Sequence, residues 1–218
     1  MSGSADLRAV DGRVPGRRGL ATRARLLDQT RALLGSTSYR DLKVVDIARA
    51  AGTSPATFYQ YFPDAEAALL ALADELVGEG RERLTRPVRD AAWTSRGAYD
   101  ACELIAGTFL DFWDDHRPLL AVIDLAATEG DQRFREIRVR LLNSFTDALR
   151  DTVEEQRSAG RLPQDLDPTA TASVLVAMLA QVSGHHYGIE RYGTTTAEIR
   201  RAMARLLYSG VTGRKPPG

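Results

Sequence analysis

The apolar and polar positions along this chain follow a helical period almost throughout. Residues 1–20 are the exception: rich in Gly, Arg and polar side chains and without an apolar period, they predict a flexible basic arm. From Thr22 the pattern changes. Leu26, Leu27, Leu33 and Leu34 recur at helical spacing, and Gly35 stops the run. "TSYRDLK" reads as a turn. "VVDIARAAG" predicts a short second helix with Val44, Ile47, Ala48 and Ala51 inward and Gly52 as its C′ residue. "SPATFYQYF" then opens with two start signals, Ser54 as N-cap and Pro55 at the first helical position. Pro63 and Asp64 close that helix and begin the next, whose apolar positions include Leu69, Leu70, Leu72 and Leu76.

The remainder is helical too. A loop around "TRPVRDAAWTSRG" precedes "AYDACELIAGTFLDFWDDH", which Arg117-Pro118 is expected to break before "LLAVIDLAATEG" follows. "DQRFREIRVRLLNSFTDALRDTVEEQRSAG" predicts a long amphipathic helix ended by Gly160, and "LPQDLDP" a turn whose Asp167 caps "PTATASVLVAMLAQVSGHHYGIE". "TTTAEIRRAMARLLYSG" is the last helix. No strand pattern and no internal repeat are visible, so the expectation is an all-α fold of about nine helices.

Composition adds limits. At 218 residues, 44% apolar and 27% charged, the chain can bury a substantial core. No window nears about 18 uninterrupted apolar residues, so no transmembrane helix is expected. The N-terminus lacks the apolar stretch of a secretory signal, and the lone Cys102, among apolar helical neighbours, reads as a buried structural thiol. A cytoplasmic protein is expected. Net charge is zero but unevenly placed: residues 1–62 hold ten basic and five acidic side chains, leaving nineteen and twenty-four for the rest. A basic end on an acidic body points to a polyanion partner for the N-terminal part alone.

Four of the fifteen aromatic residues fall in Phe58–Phe62. Between Val44 and Phe62, a short helix, a tight turn and a second helix fit a helix-turn-helix, in which small Ala48 permits close crossing and Gly52 tolerates positive φ. Phe58 and Phe62, four apart, suit anchoring, which leaves Ser54, Thr57, Tyr59, Gln60 and Tyr61 largely outward. The same spacing also fits an ordinary helical hairpin with an aromatic core face.

The segment "VVDIARAAGTSPATFYQYFPDAEAALLAL" resembles the DNA-binding domain of the TetR family of transcriptional regulators, through "DIARAAG", "TFYQYF" and the "PDAEAAL" entry to a long helix, with "TRARLLDQTRALLG" fitting the family's first helix. The resemblance covers roughly residues 22–76 and implies a helix-turn-helix domain at 21–67 and a helical ligand-binding and dimerisation domain at 68–213. It implies that Ser54, Pro55, Ala56, Thr57 and Gln60, with Thr53 beside them, face bases or nearby backbone, and that Tyr59 and Tyr61 face phosphates. Arg17, Arg18 and Thr22, where the arm meets the first helix, approach the DNA as well, and Arg13 adds charge to the arm. At Ala65 the family commonly has a phosphate-contacting lysine, which this chain lacks. The implied partners are a pseudo-palindromic double-stranded operator, a second copy of the chain and a small-molecule effector, with no cofactor.

Other constellations read more plainly. Phe109, Phe112 and Trp113 share one helical face, as core or as a cavity wall. If a cavity, neighbouring helices offer Leu120, Ile123, Asp124, Phe134, Leu141, Phe145 and Met178, with His185 as a polar group, and the occupant would be small and hydrophobic or amphipathic. Adjacent His185 and His186 point about 100° apart and make a poor chelating pair, so no metal is expected. Asp114 and Asp115 beside His116 suggest acid–base chemistry or a solvated helix end. No Ser-His-Asp order, phosphate-cradling loop or Cys/His cluster appears, and no enzyme is expected; the alternative is a small-molecule-binding protein or enzyme with a vestigial DNA-binding domain.

Overall fold

The computed structural model describes residues 16–93 and 97–217, which leaves most of the arm, Arg13 included, outside the described residues. Within them the protein is all-α. The helices are α1 (Arg17–Leu34), α2 (Val44–Ala50), α3 (Pro55–Tyr61), α4 (Ala65–Arg89), α5 (Ala98–Glu129), α6 (Gln132–Ser158), α7 (Pro168–Glu190) and α8 (Thr196–Thr212), with a 3-10 turn at Tyr39–Asp41. Eight helices replace the expected nine because α5 runs unbroken through Pro118. A proline inside a helix costs about 3 kcal/mol in lost hydrogen bonding and steric conflict. Phe112 and Trp113 before it and Leu119 and Leu120 after it are all buried, and burying each such side chain contributes about 1.5–3 kcal/mol. Burial outweighs the proline. Similarly, Pro87 lies inside α4, so the loop expected from Thr85 onward begins only after Arg89. At the other end, α1 starts at Arg17, five residues before its apolar period does; Arg17 and Arg18 therefore belong to a helical first turn and not to the arm.

The chain packs as two compact units. One holds the helices up to Leu76 together with Pro118–Arg138; the other holds Val77–Arg117 and the chain from Val139 onward. In the first unit, the buried residues Leu26, Leu27, Ile47, Ala48, Phe58, Leu69, Leu72, Ile123 and Phe134 are drawn from six helices. Polar ties hold its parts together at the surface. The Tyr39 hydroxyl donates to Glu129 at 3.0 Å, Arg40 pairs with the same carboxylate, and Arg133 pairs with Glu66 at the start of α4. In the second unit, Gly80 admits the Leu141 side chain so closely that a Cβ there would lie 2.5 Å from it. Its helices are capped by local chemistry: Asp167 accepts from the Ala170 N–H at 2.6 Å, and Thr195 with Glu198 forms a capping box on α8.

Two positive-φ glycines separate backbone strain from steric conflict. Gly52 (φ 65°) has open space where a Cβ would stand, whereas a Cβ on Gly213 (φ 69°) would lie 2.6 Å from the Arg161 carbonyl oxygen. Gly52→Ala is therefore expected to cost about 1–2 kcal/mol through conformation alone. Gly213→Ala should cost about 1–3 kcal/mol more, read as the difference between the two variants in urea unfolding.

Candidate nucleic-acid interface

The interface is built on α2 and α3. Ala48, where the two helices meet, is fully buried. The end of α2 is closed twice, by the Thr53 N–H donating to the Ala48 carbonyl at 2.9 Å and the Gly52 N–H donating to the Arg49 carbonyl at 3.0 Å. This pairing requires the left-handed residue between them, which is Gly52. Ser54 follows as N-cap: its Oγ accepts from the Thr57 N–H at 3.2 Å and lies 3.0 Å from the Thr57 Oγ1. Past α3, Asp64 Oδ1 accepts from the Ala67 N–H at 2.7 Å and starts α4.

Helical geometry then sorts the side chains of α3. Phe58 and Phe62 are buried, with ring centroids 5.5 Å apart. At about 100° per residue, Gln60 falls opposite that buried face, with Ala56 and Thr57 beside it. Tyr59 and Tyr61 fall on its two flanks. Burial agrees: Ser54, Pro55, Ala56, Tyr59 and Gln60 are exposed, and Thr53, Thr57 and Tyr61 half-buried. The centre of the outward face thus carries short polar groups and an amide, and each edge a phenol. That is the layout expected of a helix whose middle meets base edges while its flanks meet the sugar–phosphate backbone. Arg17 and Arg18 are exposed in the first turn of α1, and the Thr22 hydroxyl donates to the Arg18 carbonyl at 3.1 Å.

Known proteins agree with this geometry. Residues 26–72 match the model for bacterial regulatory proteins of the tetR family, and residues 84–218 match that for the tetracyclin repressor-like C-terminal domain. The chain belongs to the TetR family. Among curated proteins, the HTH-type transcriptional regulator EthR of Mycolicibacterium smegmatis is 24% identical over 196 residues, 89% of this chain and 88% of its own. Among solved structures, the fatty acid degradation regulator FadR of Bacillus halodurans superposes with a TM-score of 0.68 at 18% identity, over 91% of this chain and 98% of its own. FadR of Bacillus subtilis, in complex with stearoyl-CoA, superposes at 0.67 and 19% identity, over 86% and 98%. This TetR-family protein is a DNA-binding transcriptional regulator.

The regulator's candidate effector residues divide between the units. In the second, Phe109 stacks on Trp113 with centroids 5.5 Å apart and meets Phe145 edge-on at 4.8 Å, while Phe112 and Leu141 are buried and Met178 half-buried. Leu120, Ile123 and Phe134 are buried in the first. The two polar candidates lie at the surface: Asp124 pairs with Arg138 at 3.2 Å, and His185 Nδ1 lies 3.2 Å from the Gln181 amide. His186 instead is the buried histidine, with Nδ1 donating to the Ser183 carbonyl at 3.0 Å and Nε2 3.6 Å from Asp114. Asp115 pairs with Arg83, and His116 Nε2 lies 3.0 Å from Glu79, so this acidic cluster is engaged in ion pairs. Among the described residues no group of three His, Cys, Asp or Glu could hold a metal, and no helix is long and apolar enough to cross a membrane.

Sequence reasoning missed two features. The hydroxyls of Thr85 and Ser183 are buried in the second unit with no hydrogen-bond partner among the described residues, whereas Thr30, Thr108 and Thr152 each donate to the carbonyl four residues back. Nothing in the pattern distinguishes them. Arg23, counted with the basic arm-side residues, is buried. Here a signal existed, because Arg23, Leu26, Leu27, Thr30 and Leu34 share one helical face.

Cys102 is fully buried, and desolvation pushes its thiol up to about 12. Against the ordinary value of about 8.5, alkylation of the native protein at pH 8 should be roughly a thousandfold slower than of the denatured chain. For the interface, Tyr59→Phe should weaken binding to all DNA sequences alike, whereas Gln60→Ala should change the preference between sequences, both read by competition gel-shift.

Proposed function

We propose that this regulator is a repressor that binds a pseudo-palindromic operator as a homodimer and is released when a small hydrophobic or amphipathic molecule enters the helical body. The observation that carries the DNA-binding part is the arrangement of α3, with a buried aromatic side and an outward face graded from amide and short hydroxyls at its centre to phenols at its edges. One such helix makes few base contacts, and specificity on the scale of natural operators requires paired half-sites. A dimer face is available. α7 carries no Asp, Glu, Lys or Arg before Glu190, and it leaves Val174 and Tyr187 exposed, as α8 does Leu206. A helix apolar around most of its circumference is stable in water only when covered on more than one side. Acting on the bacterial chromosome, such a protein works in the cytoplasm.

Support for the effector is chemical. The stack of Phe109, Trp113 and Phe145 offers apolar surface, and the unpartnered Thr85 and Ser183 hydroxyls would each gain from a ligand's polar group, since an unsatisfied buried hydroxyl costs about 1–3 kcal/mol. FadR of Bacillus subtilis, which shares this fold, holds stearoyl-CoA, an amphipathic molecule. An effector releases DNA only by its differential affinity for the conformation whose recognition helices are wrongly spaced.

The test is a gel-shift with the DNA flanking the protein's own coding region. A specific retarded complex at moderate salt, with a symmetric footprint of two half-sites, is expected, and no specific retardation would sink the proposal. In the same assay Ala65→Lys, at the start of α4, should steepen the dependence of log affinity on log salt by about one unit.

A further inference from the structure

The recognition helix is seven residues long, and its C-terminal boundary is set by Phe62, whose N–H donates to the Phe58 carbonyl at 3.0 Å. Against the Phe62 ring stands a cation. The guanidinium carbon of Arg23, from the second turn of α1, lies 5.2 Å from the ring centroid, and Arg23 Nη1 lies 3.7 Å from Glu75 Oε1 on α4. Arg23 is only 7% exposed, so it is out of reach of a DNA phosphate although it belongs to the basic N-terminal region. Glu75 is drawn toward α1 a second time by Arg31 Nη2 at 3.5 Å. One guanidinium therefore touches the end of α3 and the side of α4 from α1. Its planar shape allows it to face the ring and present an edge to the carboxylate together, which a lysine ammonium cannot reproduce.

We infer that Arg23, held by Glu75, is a positioning residue for the recognition helix: through Phe62 it sets the rotation and axial placement of α3, and so the direction in which Thr57, Tyr59 and Gln60 are presented. The inference rests on the DNA-binding reading of α3 and adds to it how that helix is aimed. The arrangement is one of placement more than of strength. Burial holds the Glu75 carboxyl above its ordinary range in spite of Arg23 and Arg31, with Asp28 adding to the same direction. With the Glu75 side chain half exposed, such an ion pair adds little net stability and acts chiefly through where it holds its partners.

The test uses the full-length protein with Arg23→Met, Arg23→Lys and Glu75→Gln. Three quantities are read: urea stability, affinity for the flanking-DNA fragment relative to a mixed-sequence duplex, and amide exchange at Phe58–Phe62. Arg23→Met should lower the specific affinity about tenfold or more, the scale of a desolvated cation–π contact, with far less effect on the mixed-sequence duplex. Arg23→Lys should recover part of this loss. Glu75→Gln should weaken specific binding several-fold while leaving urea stability unchanged or higher, a split that a merely structural role would not produce. Amide exchange at Phe62 should rise in both neutral variants. Equal loss of specific and non-specific binding, or an affinity loss that follows stability across the three variants, overturns the inference. So does unchanged exchange at Phe62, a result read without DNA and hence separable from any failure of wild-type protein to find an operator.

Discussion

A seven-residue helix forms too few internal hydrogen bonds to persist alone in water, where even favourable sequences need about 12–15 residues. α3 is such a helix, and the surface proposed to face DNA depends on it. Its existence is a tertiary matter: Phe58 and Phe62 bury one side, and the Ser54 cap and the Gly52 turn define where it begins. The chemistry of the outward face follows from this. Once two residues four apart are committed inward, helical geometry alone places Gln60 at the centre of the exposed arc and a tyrosine at each edge.

This region is legible from sequence where others are not, because the signals that shape it are local. Glycine at the turn, serine and proline at the start of α3 and aspartate before α4 and α7 act within three or four residues, and each does in the structure what its chemistry dictates. Pro118 is also a local signal, but the burial of Phe112, Trp113, Leu119 and Leu120 decides the outcome, and that burial is set by distant chain. Arg23 shows the limit differently. Its position on the apolar face was readable, yet the Phe62 ring and the Glu75 carboxylate that receive it are 39 and 52 residues away in sequence. Periodicity tells which side of a helix is covered. It does not tell by what.

For the helical body, periodicity places Phe109, Phe112 and Trp113 inward, as the structure has them, but it does not separate buried from exposed polar groups. His185 and Asp124 are surface residues engaged with neighbours, while the buried polar groups are His186, Thr85 and Ser183. The choice between adjacent histidines turns on a rotation of about 100°, and α7, apolar around most of its surface, offers no polar side from which to fix the phase. A helix with a charged face would have resolved the question.

The composition of the first unit has a consequence for how such proteins can be rearranged. Its helices up to Leu76 share their compact unit with Pro118–Arg138, whose central turn between α5 and α6 ties to them through Glu129 and Arg133. The compact unit that contains α3 is therefore discontinuous in sequence, although the family match at this end stops at residue 72. A gene fusion that moved only the first 76 codons would carry the letters of the recognition helix without the stretch against which its supporting helices are built.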